Sequence, residues 1–279
     1  MVVEKIDKYA VFGNPVAHSK SPQIHTLFAQ QTKQSLVYSQ KKVEENQFKP
    51  AVDTFFQTGG LGLNITLPFK LEAYNYAARL TPRAQRAGAV NTLAMQEDGR
   101  VLGDNTDGLG MVRDIVDHLN WEITNKRVLI LGAGGAVRGV LQPLMEQQPQ
   151  HIVIANRTVA KALSLARGFK DLGKIQACGF EDLVDQKFDI VINGTAASLA
   201  GELPPLPENM ISESTCCYDM MYAAQDTVFM RWARKNGCAR VADGLGMLVA
   251  QAAESFFLWR GVRPKVDVVV DSLRQQLLG

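Results

Sequence analysis

Short β-branched runs alternate with helical patterns along most of the chain, the rhythm of α/β units built on mainly parallel sheets. Tyr9–Gly13 reads as a first strand. Ser21-Pro22 then opens a helix, with serine as N-cap, proline as first helical residue, and Ile24, Leu27 and Phe28 as its apolar stripe. Phe48, Val52, Phe55 and Phe56 mark a second helix that stops at Gly59-Gly60, and Leu63–Leu67 is strand-like up to Pro68. Ala89–Met95 and Arg100–Leu102 flank Asp98-Gly99, a strong hairpin signal.

A second series begins near residue 108. Leu109, Val112, Ile115, Val116 and Leu119 share one helical face; Arg127–Leu131 is a buried strand, followed by a glycine-rich turn and a helix to about Glu146. His151–Ala155, Phe188–Asn193 and Thr215–Met220 read as further strands, the last two separated by the proline-bearing loop Gly201–Pro207. Leu245–Trp259 is a long apolar helix and Val266–Leu278 a final amphipathic one. There is no internal repeat, and no flexible linker marks residue 108, so the helix after Asp107 is expected to make the crossing between domains.

Length and charge narrow the classes. The chain has 279 residues, a prior for about two domains. Thirty lysines and arginines against 28 aspartates and glutamates leave a net charge of +2, too balanced for a nucleic-acid or polybasic membrane binder. No apolar stretch approaches the roughly 18 residues of a membrane span, and the N-terminal stretch lacks the continuous apolar core of a secretory signal. Cys178, Cys216, Cys217 and Cys238 form no C-x-x-C pair, which suits a reducing, cytoplasmic compartment. His18, His25, His118 and His151 share no metal-ligand spacing, so no metal is expected.

The segment Arg127–Gly139 carries the first chemical signal. A buried strand runs into Gly132-Ala133-Gly134-Gly135-Ala136 and then a helical pattern. Glycines there permit a tight turn and close approach of backbone N–H groups to a pyrophosphate, and the helix N-terminus favours an anion. Val137 stands where the last glycine of G-x-G-x-x-G would be, but the strand–loop–helix–strand context of residues 127–155 favours a dinucleotide over glycines used for packing alone. After the second strand, an NAD site usually carries a carboxylate for the ribose 2′-hydroxyl. This chain has Asn156-Arg157-Thr158 and then Lys161, a set suited to a 2′-phosphate, hence NADP. Thr158 also reads as the N-cap of the next helix, and both roles can hold.

Five strings stand out around this loop: Gly13–Pro22 (GNPVAHSKSP), Asn64–Lys70 (NITLPFK), Gly88–Thr92 (GAVNT), Gly103–Gly108 (GDNTDG) and Ala242–Gln251 (ADGLGMLVAQ). In this order, from about Tyr9 to Gly261, they resemble the shikimate dehydrogenase family. The resemblance implies an α/β protein of two domains: a substrate domain formed by 1–107 plus 247–279, and a Rossmann-type NADP domain, 108–246, with a cleft between them. The implied activity is NADPH-dependent reversible reduction of 3-dehydroshikimate to shikimate, on the route to aromatic amino acids. Lys70 and Asp107 match the family's catalytic pair. Ser19 and Ser21 match the positions that hold the substrate carboxylate; Thr66, Asn91, Gln251 and Tyr222 match further substrate contacts. Gly132, Ala133, Gly134, Gly135, Ala136, Asn156, Arg157, Thr158 and Lys161 match cofactor contacts, with Thr195, Met220 and Gly244 around the nicotinamide end. The run Asn193–Ser198 lacks the serine- or proline-bearing turn expected after Asn-x-Thr, and His18 matches no catalytic role. Two rival readings remain: a quinate/shikimate dehydrogenase with broader substrate and NAD use, and a nucleotide-binding regulator of the same fold. Expected partners are a small-molecule substrate, with no nucleic acid and no membrane; monomer and homodimer are both open.

Overall fold

Strand β1 (Asp7–Gly13) turns Tyr9 and Val11 to one face and Ala10 and Phe12 to the other, and all four are buried. A strand apolar on both faces belongs inside a sheet covered on both sides. The computed structural model, which describes residues 6–195, 197 and 201–278, provides that cover in each of two compact units. Residues 1–5 and, in the run Asn193–Ser198, Ala196 and Ser198 lie outside the described residues.

The first unit comprises residues 1–110 and 249–269. After β1 come α1 (Ser21–Thr32), β2 (Leu36–Lys42), α2 (Phe48–Gln57), β3 (Gly60–Ile65), α3 (Lys70–Tyr76), β4 (Arg79–Leu80), α4 (Pro82–Ala87), β5 (Thr92–Met95), β6 (Val101–Asp104) and the start of α5 (Asp107–Arg113). The sheet order is β2-β1-β3-β5-β6-β4, parallel except for β5, which runs antiparallel to both neighbours. Phe12, Phe48, Val52, Leu63, Ile65 and Phe69 fill one side of this sheet.

The second unit comprises residues 111–248 and 270–279. It holds β7 (Arg127–Leu131), α6 (Gly135–Glu146), β8 (His151–Ala155), α7 (Val159–Arg167), β9 (Ile175–Cys178), β10 (Ile190–Asn193), β11 (Cys216–Asp219), α8 (Val228–Lys235) and β12 (Arg240–Asp243). Its sheet is wholly parallel, in the order β12-β11-β10-β7-β8-β9. Strand β7 again alternates into two cores, Val128 and Ile130 on one side, Leu129 and Leu131 on the other. The strand order reverses between β7 and β10, the place where open α/β sheets bind ligands beyond their carboxyl ends.

The helix expected over 108–119 continues from α5 into a π-helical turn, Asp114–His118, closed by the Leu119 N–H to Asp114 O bond. The long apolar helix is α9 (Leu245–Arg260), and the last is α10 (Asp267–Leu278). The C-terminal helices divide differently from the expected 247–279: 249–269 falls in the first unit and 270–279 in the second. An ion pair ties α10 to the second unit. Arg274 binds both carboxylate oxygens of Asp243, a nearly fully buried residue at the end of β12.

Candidate active site

In the first unit, sequence-distant polar residues converge at the carboxyl ends of β3 and β6 and the amino end of the antiparallel β5. Strand β3 ends at Ile65. The next turn is pinned by the Thr66 N–H to Phe12 O and Phe69 N–H to Thr66 O bonds, and buried Phe69 anchors the start of α3. Lys70 is therefore the first residue of α3, its carbonyl accepting from Val90 N–H at 2.9 Å. Asp107 opens α5. Its placement depends on Asp104, a completely buried carboxylate that accepts from Thr81, from Arg83 and from the Asn105 N–H. Asn105 then receives the Asp107 N–H on its side-chain oxygen.

The Lys70 Nζ lies 2.5 Å from Asp107 Oδ2. The lysine side chain is 29% exposed and the aspartate 16%, so the pair is sheltered but reachable. Asn91 donates through Nδ2 to the other carboxylate oxygen, Asp107 Oδ1, at 2.8 Å, and to Thr106 Oγ1 at 2.9 Å, with Gln251 Oε1 at 3.4 Å. Gln251 can come this close because α9 packs directly on α5: a Cβ at Gly110 would sit 2.5 Å from the Gln251 backbone nitrogen. Lys70, Asp107, Asn91 and Gln251, four residues predicted from sequence, are thus brought together.

Ser19 and Ser21 lie at the start of α1. The expected cap is corrected: Lys20 occupies the N-cap position without a side-chain cap bond, and Ser21 and Pro22 are already helical. Ser19 takes the capping role instead, its Oγ accepting from the Ser21 N–H at 3.3 Å. The buried Ser21 hydroxyl bonds the Tyr38 phenol. Ser19, His18 and Lys20 are more exposed than Ser21. Thr66 is half-buried just past the end of β3. Tyr222 lies in the second unit, after β11, where burial and then the charge of Asp243 raise its phenol above the usual value.

The second unit gathers the predicted cofactor residues at the carboxyl ends of its strands. Gly132 has φ +102°, a conformation that side-chain-bearing residues rarely adopt, and its N–H bonds Ala155 O across to β8. A Cβ at Gly134 or Gly135 would meet nothing within 4 Å, so there is open space in front of this loop. The first residues of α6 lack intrahelical acceptors for their N–H groups, and they flank that space. Asn156 folds back on Thr158 O at 2.9 Å; Arg157, Thr158 and Lys161 are exposed at the start of α7. Thr158 is the N-cap residue of α7 but makes no side-chain cap bond, which leaves its hydroxyl out of the helix's own hydrogen bonding. Open backbone N–H groups, a helix N-terminus and two exposed cations fit a dinucleotide with a 2′-phosphate.

Thr195, Met220 and Gly244 meet at the ends of β10, β11 and β12. The Asn193 side-chain oxygen accepts both the N–H and the hydroxyl of Thr195, and its amide donates to Asp219 Oδ1. Met220 N–H bonds Asn193 O, and Gly244 N–H bonds Met221 O. Asn193 and Asp219, buried at strand ends, carry hydrogen bonds beside these residues and were given no role from the sequence, as were Asp104, Asn64, Thr92 and Ser255 in the first unit. The available signal was a polar residue inside an apolar strand or helix. No group of three or more His, Cys, Asp or Glu residues could hold a metal among the described residues. Among them, too, no helix is long and apolar enough to cross a membrane.

A parallel sheet with a glycine loop at its switch point, joined in one chain to an α/β unit carrying a sheltered lysine–carboxylate pair, defines a two-domain dinucleotide-dependent oxidoreductase. The particular family follows from comparison. Residues 11–93 match the shikimate dehydrogenase substrate binding domain, 113–203 match shikimate / quinate 5-dehydrogenase, and 244–274 match the shikimate 5′-dehydrogenase C-terminal domain. The chain is 60% identical to the shikimate dehydrogenase (NADP(+)) of Cellvibrio japonicus over 97% of its length and 98% of that protein's. The crystal structure of an Ael1 enzyme from Pseudomonas putida superposes with a TM-score of 0.92 at 48% identity, covering 96% of this chain and 98% of that one. The Thermus thermophilus shikimate 5-dehydrogenase, solved with NADP(H) and shikimate, gives 0.86 at 31% identity, covering 98% and 100%. The chain belongs to the shikimate dehydrogenase family.

Proposed function

We propose that this chain catalyses the reversible NADPH-dependent reduction of 3-dehydroshikimate to shikimate. The observation that carries the chemistry is the Lys70–Asp107 pair, held at 2.5 Å and braced by Asn91 from the far side of the carboxylate. NADPH, when bound, supplies the hydride. Negative charge then develops on the substrate oxygen, and the Lys70 ammonium stabilises it and delivers the proton; in the oxidative direction Lys70 takes that proton back. Asp107 holds the ammonium in place. Ser19 and Ser21 are assigned to the substrate carboxylate, and Thr66, Asn91, Gln251 and Tyr222 to its hydroxyls. The residues from Gly132 to Ala136 with Asn156, Arg157, Thr158 and Lys161 are assigned to the cofactor's phosphates, and Thr195, Met220 and Gly244 to its nicotinamide end. A reducing cytoplasm suits the four cysteines, all of which are free thiols.

The test is steady-state turnover of shikimate and of quinate, each with NADP and with NAD, followed by nicotinamide absorbance. The proposed function expects turnover of shikimate with NADP to dominate. Comparable turnover of quinate with NAD would replace it by a broader quinate/shikimate activity, and no turnover of either would leave a nucleotide-binding protein.

A further inference from the structure

Behind the Lys70–Asp107 pair, the buried polar groups of the first unit form one chain, and around Asn91 its direction of donation is fixed. A backbone N–H can only donate and a carboxylate can only accept. Thr106 N–H gives to Asn91 Oδ1 at 2.9 Å, and Asn91 Nδ2 gives to Asp107 Oδ1 at 2.8 Å, so the Asn91 amide has a single orientation. Thr92 Oγ1 lies 2.8 Å from Asn91 Oδ1 and must give its one proton there. Ser255 Oγ, 2.7 Å from Thr92 Oγ1, accepts from Asn64 Nδ2 at 2.9 Å and also reaches Gln251 O at 3.2 Å.

The far end is equally determined. Asn64 Oδ1 accepts from the Tyr38 phenol at 2.7 Å and from His25 Nε2 at 3.1 Å. His25 is stacked on Tyr38, with ring centroids 4.2 Å apart, and burial pushes its pKa down to about 3, so it stays neutral. Its Nδ1 is buried with no hydrogen-bond partner in the structure, which puts the single ring proton on Nε2, facing Asn64. Thr92 and Ser255 are completely buried and Asn64 nearly so. Within so buried a chain the orientation of each amide and hydroxyl is set by its neighbours.

We propose that Thr92 is a positioning residue for the reaction: its hydroxyl fixes the Asn91 amide, which braces Asp107 and through it Lys70. This rests on the function proposed above for the Lys70–Asp107 pair. Thr92→Val keeps the shape and removes the proton, while Thr92→Ser keeps the proton. The valine variant is expected to lose about tenfold in kcat, the worth of one buried hydrogen bond, with the KM for NADPH unchanged; the serine variant should return to near wild type. In a Lys70→Ala background, Thr92→Val should cost almost nothing further, because its effect passes through the lysine. A wild-type kcat in Thr92→Val, or an equal loss in both backgrounds, overturns the proposal. A readout independent of turnover guards against the function itself being wrong. The Asn91 side-chain amide resonances, assigned by their loss in Asn91→Asp, should shift in Thr92→Val and in Ser255→Ala and return in Thr92→Ser. Resonances that stay put overturn the hydrogen-bond chain whatever the substrate.

Discussion

An ammonium at 2.5 Å from a carboxylate is a strong contact only where water is partly excluded, and the turn at 66–70 and the loop at 104–107 provide that shelter. Lys70→Ala should lower kcat roughly 10²–10⁴-fold, the usual worth of a positioned proton donor, with a much smaller change in the shikimate KM, since the interaction strengthens as charge develops. Asp107→Asn should also lower kcat, and the double variant should lose far less than the product of the two. Fully multiplicative losses in steady-state kinetics would show that the two residues act independently. At the other ligand, Arg157→Ala should raise the KM for NADP by about ten- to a hundred-fold through lost charge-assisted bonds and leave the KM for NAD nearly unmoved. Equal losses would remove Arg157 from the 2′-phosphate. Lys70 and Asp107 were legible because the family's strings quote them, and Arg157 because it follows the second strand of the glycine-loop unit. Asn64 and Thr92 stand in the same strings, but their role, like that of Ser255, lies in contacts across up to 191 positions of sequence, and spacing carries no trace of it.

Among the elements, those with apolar residues on two faces were readable and those at the edges were not. The central strands β1, β7 and β8 are continuous apolar runs, and their helices carry clear stripes. Strand β2 is an edge strand in which only Tyr38 is buried, so LVYSQKK gives no alternation to follow. The edge strands β9 and β12 and the short helices α4 and α8 escaped for the same reason: a few residues with little apolar area signal weakly, and tertiary packing supplies the rest. The helix after Asp107 was expected to be regular, but it widens into a π-turn at Asp114. Asp114 is buried, accepts the Tyr218 hydroxyl at 2.5 Å, and has its pKa raised to about 6, chiefly by burial. A carboxyl raised above its unfolded value favours the folded state most below the unfolded value, near pH 4, and that benefit is lost as pH rises through about 6. Wild-type stability measured against Asp114→Asn should therefore fall between about pH 4 and 6 and level off above, by on the order of 3 kcal/mol. Denaturant titrations across that range, with the two proteins running parallel, would show that Asp114 is not charged at a cost in the fold.

For the whole molecule, the assignment makes a spatial claim that neither ligand's kinetics can check: the two ligands act on residues of different compact units. Ser19, Ser21, Thr66, Lys70, Asn91, Asp107 and Gln251 fall in the first unit. Every proposed cofactor residue, together with Tyr222, falls in the second. Hydrogen–deuterium exchange with each ligand alone separates the two sets. A ligand at about a hundred times its Kd stabilises the state that binds it by roughly 2.7 kcal/mol, which slows exchange through unfolding of the bound region about a hundredfold. NADP alone should protect the amides of 132–138 and 156–161 and those at the ends of β10 to β12. Shikimate alone should protect 19–22, 64–70, 91–92 and 105–110, with the turn of α9 around Gln251. Tyr222 is the informative exception. Protection of 220–224 by shikimate alone keeps it among the substrate contacts, whereas protection there by NADP alone moves it to the cofactor. NADP protection confined to the first unit would overturn the division of labour as a whole, because the glycine loop on β7 would then hold something other than the dinucleotide.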